Sequence, residues 1–258
     1  MDRRAFLAAG AVGAVGWFAG VRRANAQNQA LASVPFAPQN GIPYGETRLG
    51  LAESDDERDG VLYVPKSYKD GVPMPLVTML HGLSGNGTSS RSMYPLAEEF
   101  GVIILAPESR RLGWGKDAPG FDKDSVYIVN AMRYVNRTLY MDPAHVAIGG
   151  TSDGATYALT MGLVYGDSFS HVMVFSEGIP NPIRKEGRPK IFIAHGTEDK
   201  QMPIDVTSHT FVPQARADGY EVTYYEYNGG HGAPRDAVRK AFEWFVGQSA
   251  QPAVAPVK

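Results

Sequence analysis

Short apolar runs alternate along the chain with longer stretches in which hydrophobic residues recur at helical spacing. The runs fall at 60–65 (Gly-Val-Leu-Tyr-Val-Pro), 76–80, 102–106, 146–148, 172–175, 191–194 and 222–225. Runs this short, rich in Val and Ile and bounded by Gly, Pro or polar residues, are expected of strands buried on both faces. The periodic stretches at 91–100, 124–139, 155–165, 206–218 and 234–246 predict helices. Their alternation predicts βαβ units, hence an α/β fold with a mostly parallel central sheet flanked by helices. No internal repeat or second composition regime interrupts the pattern, so a single domain is expected over 58–248. A lead-in segment at 27–57, rich in Gln, Asn, Pro and Gly, precedes it, and a flexible tail at 249–258 follows.

Composition narrows the classes. The 258 residues are 43% hydrophobic and 20% charged, ordinary for a globular domain and wrong for a disordered or fibrous chain. A net charge of −2 argues against nucleic acid as a partner, which usually demands a basic surplus. The absence of cysteine excludes a disulfide framework, a thiol nucleophile and thiolate-held metal.

Residues 1–26 are set apart by Arg3-Arg4 before Phe6-Leu7, an uncharged Gly/Ala-rich stretch, Arg22-Arg23, and a small-x-small site at Ala24-Asn25-Ala26. This resembles a twin-arginine export signal cleaved after Ala26, which places the expected mature protein in the periplasm or outside the cell. The uncharged stretch, 5–21, is shorter than the ~20 apolar residues of a membrane span, so cleavage with no stable span afterwards is expected, with an uncleaved anchor as the alternative.

In a parallel sheet, ligand chemistry sits beyond the carboxyl ends of the strands. After 146–148 comes Gly149-Gly150-Thr151-Ser152-Asp153-Gly154, then a helix: G-x-S-x-G in a strand–turn–helix setting. A sharp turn there would expose the Ser152 hydroxyl, and glycines at 150 and 154 would let strand and helix approach. A serine needs a base. Of His81, His145, His171, His195, His209 and His231, only the last is C-terminal to every plausible acid, in the post-strand loop Asn228-Gly229-Gly230-His231-Gly232. His81 and His195 each end a strand as His-Gly and are expected to brace loops. His145 and His171 begin strands, and His209 sits in a helical stretch. Asp199, after 191–194, is the expected acid that orients His231, with Glu198 and Asp205 as rivals. The oxyanion hole is expected to combine the Asp153 amide with one from His81-Gly82-Leu83-Ser84-Gly85-Asn86-Gly87, chiefly Leu83. That glycine-rich loop matches neither phosphate-binding fingerprint. Trp114, Phe121, Gln201 and Met202 are candidate substrate contacts, and no metal ligands are expected.

Four segments carry a resemblance: Leu80-His-Gly-Leu-Ser-Gly-Asn-Gly87, Gly150-Thr-Ser-Asp-Gly154, His195-Gly-Thr-Glu-Asp199 and Gly230-His-Gly232. As an ordered set they resemble α/β-hydrolases of the carboxylesterase, phospholipase and polyhydroxybutyrate-depolymerase-like group. The resemblance implies the α/β-hydrolase fold, a Ser-His-Asp esterase working through an acyl-enzyme, and no metal or organic cofactor. The 177–190 connection is too short for a large helical cap, and no separate polymer-binding domain is expected. The expected substrate is a small or lipid-like ester, with a polyester, a feruloyl-type ester or an amide as alternatives. A non-catalytic binding protein on the same scaffold is the remaining reading. A monomer or weak dimer is expected.

Overall fold

The computed structural model describes residues 42–52, 58–115 and 122–247, all within one compact unit spanning 36–258. The expected export signal and the tail at 249–258 lie outside the described residues. Each of the seven apolar runs forms a strand: β2 (Gly60–Val64), β3 (Met74–Leu80), β4 (Ile103–Pro107), β5 (Met141–Thr151), β6 (His171–Phe175), β7 (Lys190–Gly196) and β8 (Val222–Tyr227). An additional strand, β1 (Gly45–Arg48), lies within the lead-in segment. It is polar and carries no strand pattern of its own. Antiparallel pairing with β2 and contacts from Arg91 to Glu46 (2.6 Å) and Arg48 to Asp59 (3.1 Å) hold it at the sheet edge.

The strands make one sheet in the order β1-β2-β4-β3-β5-β6-β7-β8, parallel from β4 through β8 and antiparallel only where β2 meets β1 and β4. The helices are α1 (Tyr94–Phe100), α2 (Lys123–Thr138), α3 (Asp153–Val164), α4 (Ser208–Ala217) and α5 (Arg235–Val246). The stretch read as a helix over 91–100 divides in two. A 3₁₀ segment, Gly87–Met93, capped by the Asn86 side chain on the Thr88 amide, leads into α1. Pro95 in the first turn of α1 has no N–H to forfeit, so the α-helix can begin there.

Alternate residues of the strands enter opposite layers. Val77, Met79, Ile104 and Met173 pack with Leu96, Phe242 and Phe245 of α1 and α5, whereas Leu62, Leu76, Ile103 and Leu105 pack with Ala131 and Val135 of α2. Apolar cover on both faces explains why the strands read as continuous hydrophobic runs. The connection from β6 to β7 contains no helix, and among the described residues no cap domain covers the carboxyl edge of the sheet. Among the described residues no helix is long and apolar enough to cross a membrane.

Candidate active site

Ser152 stands between the end of β5 and the first residue of α3, with φ 59° and ψ −122°. Non-glycine residues seldom occupy this region, and the strain persists because the neighbours leave no alternative. A β-carbon on Gly154 would lie 2.4 Å from the carbonyl oxygens of Leu80 and His81, and one on Gly150 would lie 2.5 Å from the Gly154 carbonyl. Only glycine at both positions lets α3 start directly against the end of β3. The Ser152 N–H donates to Phe175 O (3.0 Å) at the end of β6, and its carbonyl accepts from Thr156 N–H (3.0 Å), so the backbone is pinned on both sides of the hydroxyl-bearing carbon.

Asp199 and His231, separated by a helix and a strand in the chain, meet at the same edge. His231 Nδ1 lies 2.7 Å from Asp199 Oδ2. A carboxylate only accepts, so this bond puts a proton on Nδ1 and leaves Nε2 as the basic ring nitrogen. Asp199 Oδ1 accepts the amides of Gln201 and Met202, each at 2.9 Å. Burial opposes the charge on Asp199. The hydrogen bonds from Met202, His231, Ser176 and Gln201 outweigh it and hold the carboxyl below its ordinary range. Of the rival acids, Glu198 is exposed, and Asp205, with 86% of its side chain exposed, pairs with His209 on the surface (3.0 Å).

The loop after β3 is shaped by His81. Ser109 N–H and Arg58 both lie 3.1 Å from His81 Nε2, and both are donors, so that nitrogen accepts. The proton is therefore on Nδ1, which donates to Gly82 O (2.7 Å). Burial, with the Arg58 charge adding to it, keeps His81 neutral by pushing its proton affinity down. Gly82 O also accepts from Gly85 N–H (2.9 Å). In a planar trans peptide the N–H points opposite to the carbonyl, so pinning Gly82 O aims the Leu83 amide the other way. Among the described residues the Leu83 N–H has no partner, and its side chain is exposed. The Asp153 amide opens α3, and the Asp153 carboxylate accepts from Trp114 N–H (2.8 Å).

Trp114 is packed inside. It is 3% exposed, its indole N–H donates to His81 O (2.8 Å), and its ring stacks near Tyr157. It buttresses the loops from beneath and presents little surface to a ligand. Phe121 lies outside the described residues. Gln201 and Met202 reach the site through their amides on Asp199, and Met202 Sδ also lies beside Gly178. Among the described residues no group of three or more His, Cys, Asp or Glu side chains could hold a metal ion.

Two residues at the exit of β6 were not singled out from the sequence. Ser176 is fully buried at φ 52°, and its hydroxyl accepts the Gly232 N–H (3.0 Å), next to His231. Glu177, also fully buried, faces His195. Both follow directly on an apolar run at the carboxyl end of a strand, the position that marks functional residues in this fold class, so the signal was present.

Comparison with known proteins defines the class. In solved structures the same architecture recurs in a fluorophosphonate-binding serine hydrolase, FphF, of Staphylococcus aureus (TM-score 0.65, 16% identity, covering 80% of this chain and 99% of that one). It recurs in an S-formylglutathione hydrolase, FrmB, of Staphylococcus aureus (TM-score 0.64, 17% identity, 80% and 99% covered). A Bacillus cereus carboxylesterase matches at TM-score 0.56 with 20% identity, over 74% of this chain and 94% of that one. The fold is that of the α/β-hydrolases, and the protein is an esterase. The Esterase family model matches residues 52–235, and the chain belongs to that family. A highly reducing polyketide synthase, pkhB, of Emericella nidulans shares 36% identity over 89 residues, a match spanning 34% of this chain and 3% of the synthase.

Proposed function

We propose that the protein is an exported serine esterase in which Ser152, His231 and Asp199 form the catalytic triad. The observation that carries this reading is the strained Ser152 turn at the head of α3, on the same sheet edge as an Asp199–His231 pair bonded at 2.7 Å. His231 Nε2 takes the Ser152 proton as Oγ attacks the ester carbonyl, and the Asp199 carboxylate stabilises the imidazolium that forms. The carbonyl oxygen, now an oxyanion, receives hydrogen bonds from the Leu83 and Asp153 amides. His231 returns the proton to the departing alcohol, leaving an acyl-enzyme. Water, deprotonated by the same nitrogen, then releases the acid and restores Ser152.

The rim supports an apolar ester. Leu83, Leu112 and Ile179 are exposed on loops that follow strands at the carboxyl edge, Val206 is exposed on the 3₁₀ turn Ile204–Val206 after β7, and Ser84 N–H bonds Leu112 O to tie two of those loops together. Exposed large apolar side chains at the edge that carries Ser152 favour an apolar acyl or alcohol group. The paired arginines at 3–4 support delivery to the periplasm or beyond, with monomer or weak dimer as the assembly. Turnover of p-nitrophenyl esters of graded chain length, beside a matching anilide, tests the reading. Ester cleavage that improves with chain length, with the anilide inert, is expected. Preference for the anilide would make the protein an amidase.

A further inference from the structure

The acid assigned to the triad is touched by a second histidine. His195 Nε2 lies 3.3 Å from Asp199 Oδ2, the same oxygen that bonds His231, and 2.8 Å from Met202 O. Its Nδ1 lies 2.7 Å from Ser208 Oγ and 3.2 Å from Glu177 Oε2. The side chains of His195 and Glu177 are both 0% exposed.

The protons on this network follow from its partners. A carbonyl only accepts, so Nε2 carries a proton. Ser208 spends its one proton on Glu177 Oε1, which leaves Ser208 Oγ and Glu177 Oε2 as acceptors toward Nδ1. Nδ1 therefore carries a proton too, and His195 is an imidazolium paired with a buried carboxylate. Burial alone would strip that proton. The hydrogen bond and charge of Glu177, then Met202 O and Asp199, more than offset burial and raise the proton affinity of His195. The other titratable groups facing this network are the Tyr224 and Tyr227 phenols of β8, which lie within the fields of Glu177 and Asp199 and which burial keeps neutral, and His231 across Asp199.

A fully buried ion pair is an expensive way to fill space, since apolar residues of the same volume often stabilise as well or better. At the other end of β6 the buried histidine, His171, packs against the rings of His145, Trp244 and Phe245 instead. The pair stands only where Asp199 must be held. We propose that Glu177 and His195 are positioning residues of the active site. They fix the Asp199 carboxylate in line with His231, and by setting a cation against the shared oxygen they moderate how strongly His231 holds its proton. This rests on the triad reading above.

Glu177→Gln is the first test. The amide can donate to Nδ1, so His195 loses its extra proton and Asp199 acts undiluted on His231. The rising limb of kcat/KM against pH should then move to higher pH by roughly half to one pH unit, with the plateau lowered less than about tenfold. Glu177→Asp keeps the charge and should return the limb toward its wild-type position. A purely structural pair would lower thermal stability and leave the limb still. Imidazole nitrogen NMR on the wild-type protein needs no variant. His195 should show both ring nitrogens protonated at a pH where His231 has only one. A singly protonated His195, or a Glu177→Gln limb that superposes on wild type, overturns the proposal alone. A wild-type profile with no limb that depends on His231 overturns the triad reading and this proposal together.

Discussion

The two edges of one sheet treat buried histidine in opposite ways. At the carboxyl edge His195 is surrounded by Glu177, Asp199 and a carbonyl, and its proton affinity is raised. At the amino edge His171 is also buried, but its ring stacks on His145 (5.8 Å) and meets the edges of Trp244 (4.9 Å) and Phe245 (5.1 Å). With no carboxylate in reach, burial, joined by the charges of His145 and Lys190, pushes His171 down to about 4. The strands, the residue type and the burial are alike. The partners differ, and they decide whether a buried imidazole is a cation or a neutral ring. The buried histidine is thus charge-paired at one end of the sheet and ring-packed at the other, while the ion pairs of the amino edge, His145 with Asp142 (2.6 Å) and Lys190 with Glu221 (3.9 Å), bypass His171.

Substitutions at the carboxyl edge should therefore cost activity before stability. The largest effect is expected from Ser152→Ala or His231→Ala, each lowering kcat by more than about 10⁴-fold with thermal stability nearly unchanged. A fluorophosphonate probe should label Ser152 in the wild-type protein and nothing in Ser152→Ala. Persistent labelling would move the nucleophile elsewhere. Asp199→Asn should lower kcat by about 10⁴-fold, by analogy with the same change in serine proteases, because Nδ1 loses its acceptor and the imidazolium its counter-charge. Asp205→Asn, on the surface pair with His209, should change kcat little, and the reverse ranking would reassign the acid.

Trp114 probes the boundary between the two roles. Trp114→Ala removes a buried ring and the donor to His81 O, so a loss of about 3–5 kcal/mol in unfolding free energy is expected. Turnover should fall less steeply than in Ser152→Ala. A denaturant midpoint unchanged by this substitution would mean that the indole is not part of the core. The smallest effect is expected at the amino edge. His171 is depressed in the folded state, so its stabilising neutral form is fully present above pH 6.5, and the stability is lost as pH falls from there toward about 4. His171→Phe should flatten that part of the stability–pH curve without shifting the kcat/KM profile. A profile that moved would show the two edges to be coupled.

Much of the candidate site was legible because its residues lie where a local rule applies. The strand–turn–helix around Ser152 depends on Gly150 and Gly154, and those glycines are visible as a motif. His231 and Asp199 follow apolar runs, and strand ends are readable from hydrophobic pattern alone. β1 was not legible. Gly45–Arg48 has no apolar alternation, and its extended form comes from pairing with β2 and from Arg91. Trp114 looked like a pocket wall because it lies in a polar, glycine-rich loop. That it turns inward depends on His81 O, just past the end of β3, and on the Tyr157 ring of α3, which no local pattern brings beside it.

The alternation of short apolar runs with amphipathic stretches was enough to determine a parallel sheet, its helical cover, and which chain segments reach the carboxyl edge. These are consequences of periodicity and of the exclusion of apolar surface from water, and both act over a few neighbouring residues. Protonation and partnership were decided only in three dimensions. Glu177, His195, Asp199, Ser208 and His231 come from four separate stretches, and nothing local brings their side chains together. Coulomb energies and hydrogen bonds depend on distances of a few ångströms across those stretches, so the same histidine codon yields a cation beside β6 and a neutral ring beside α5.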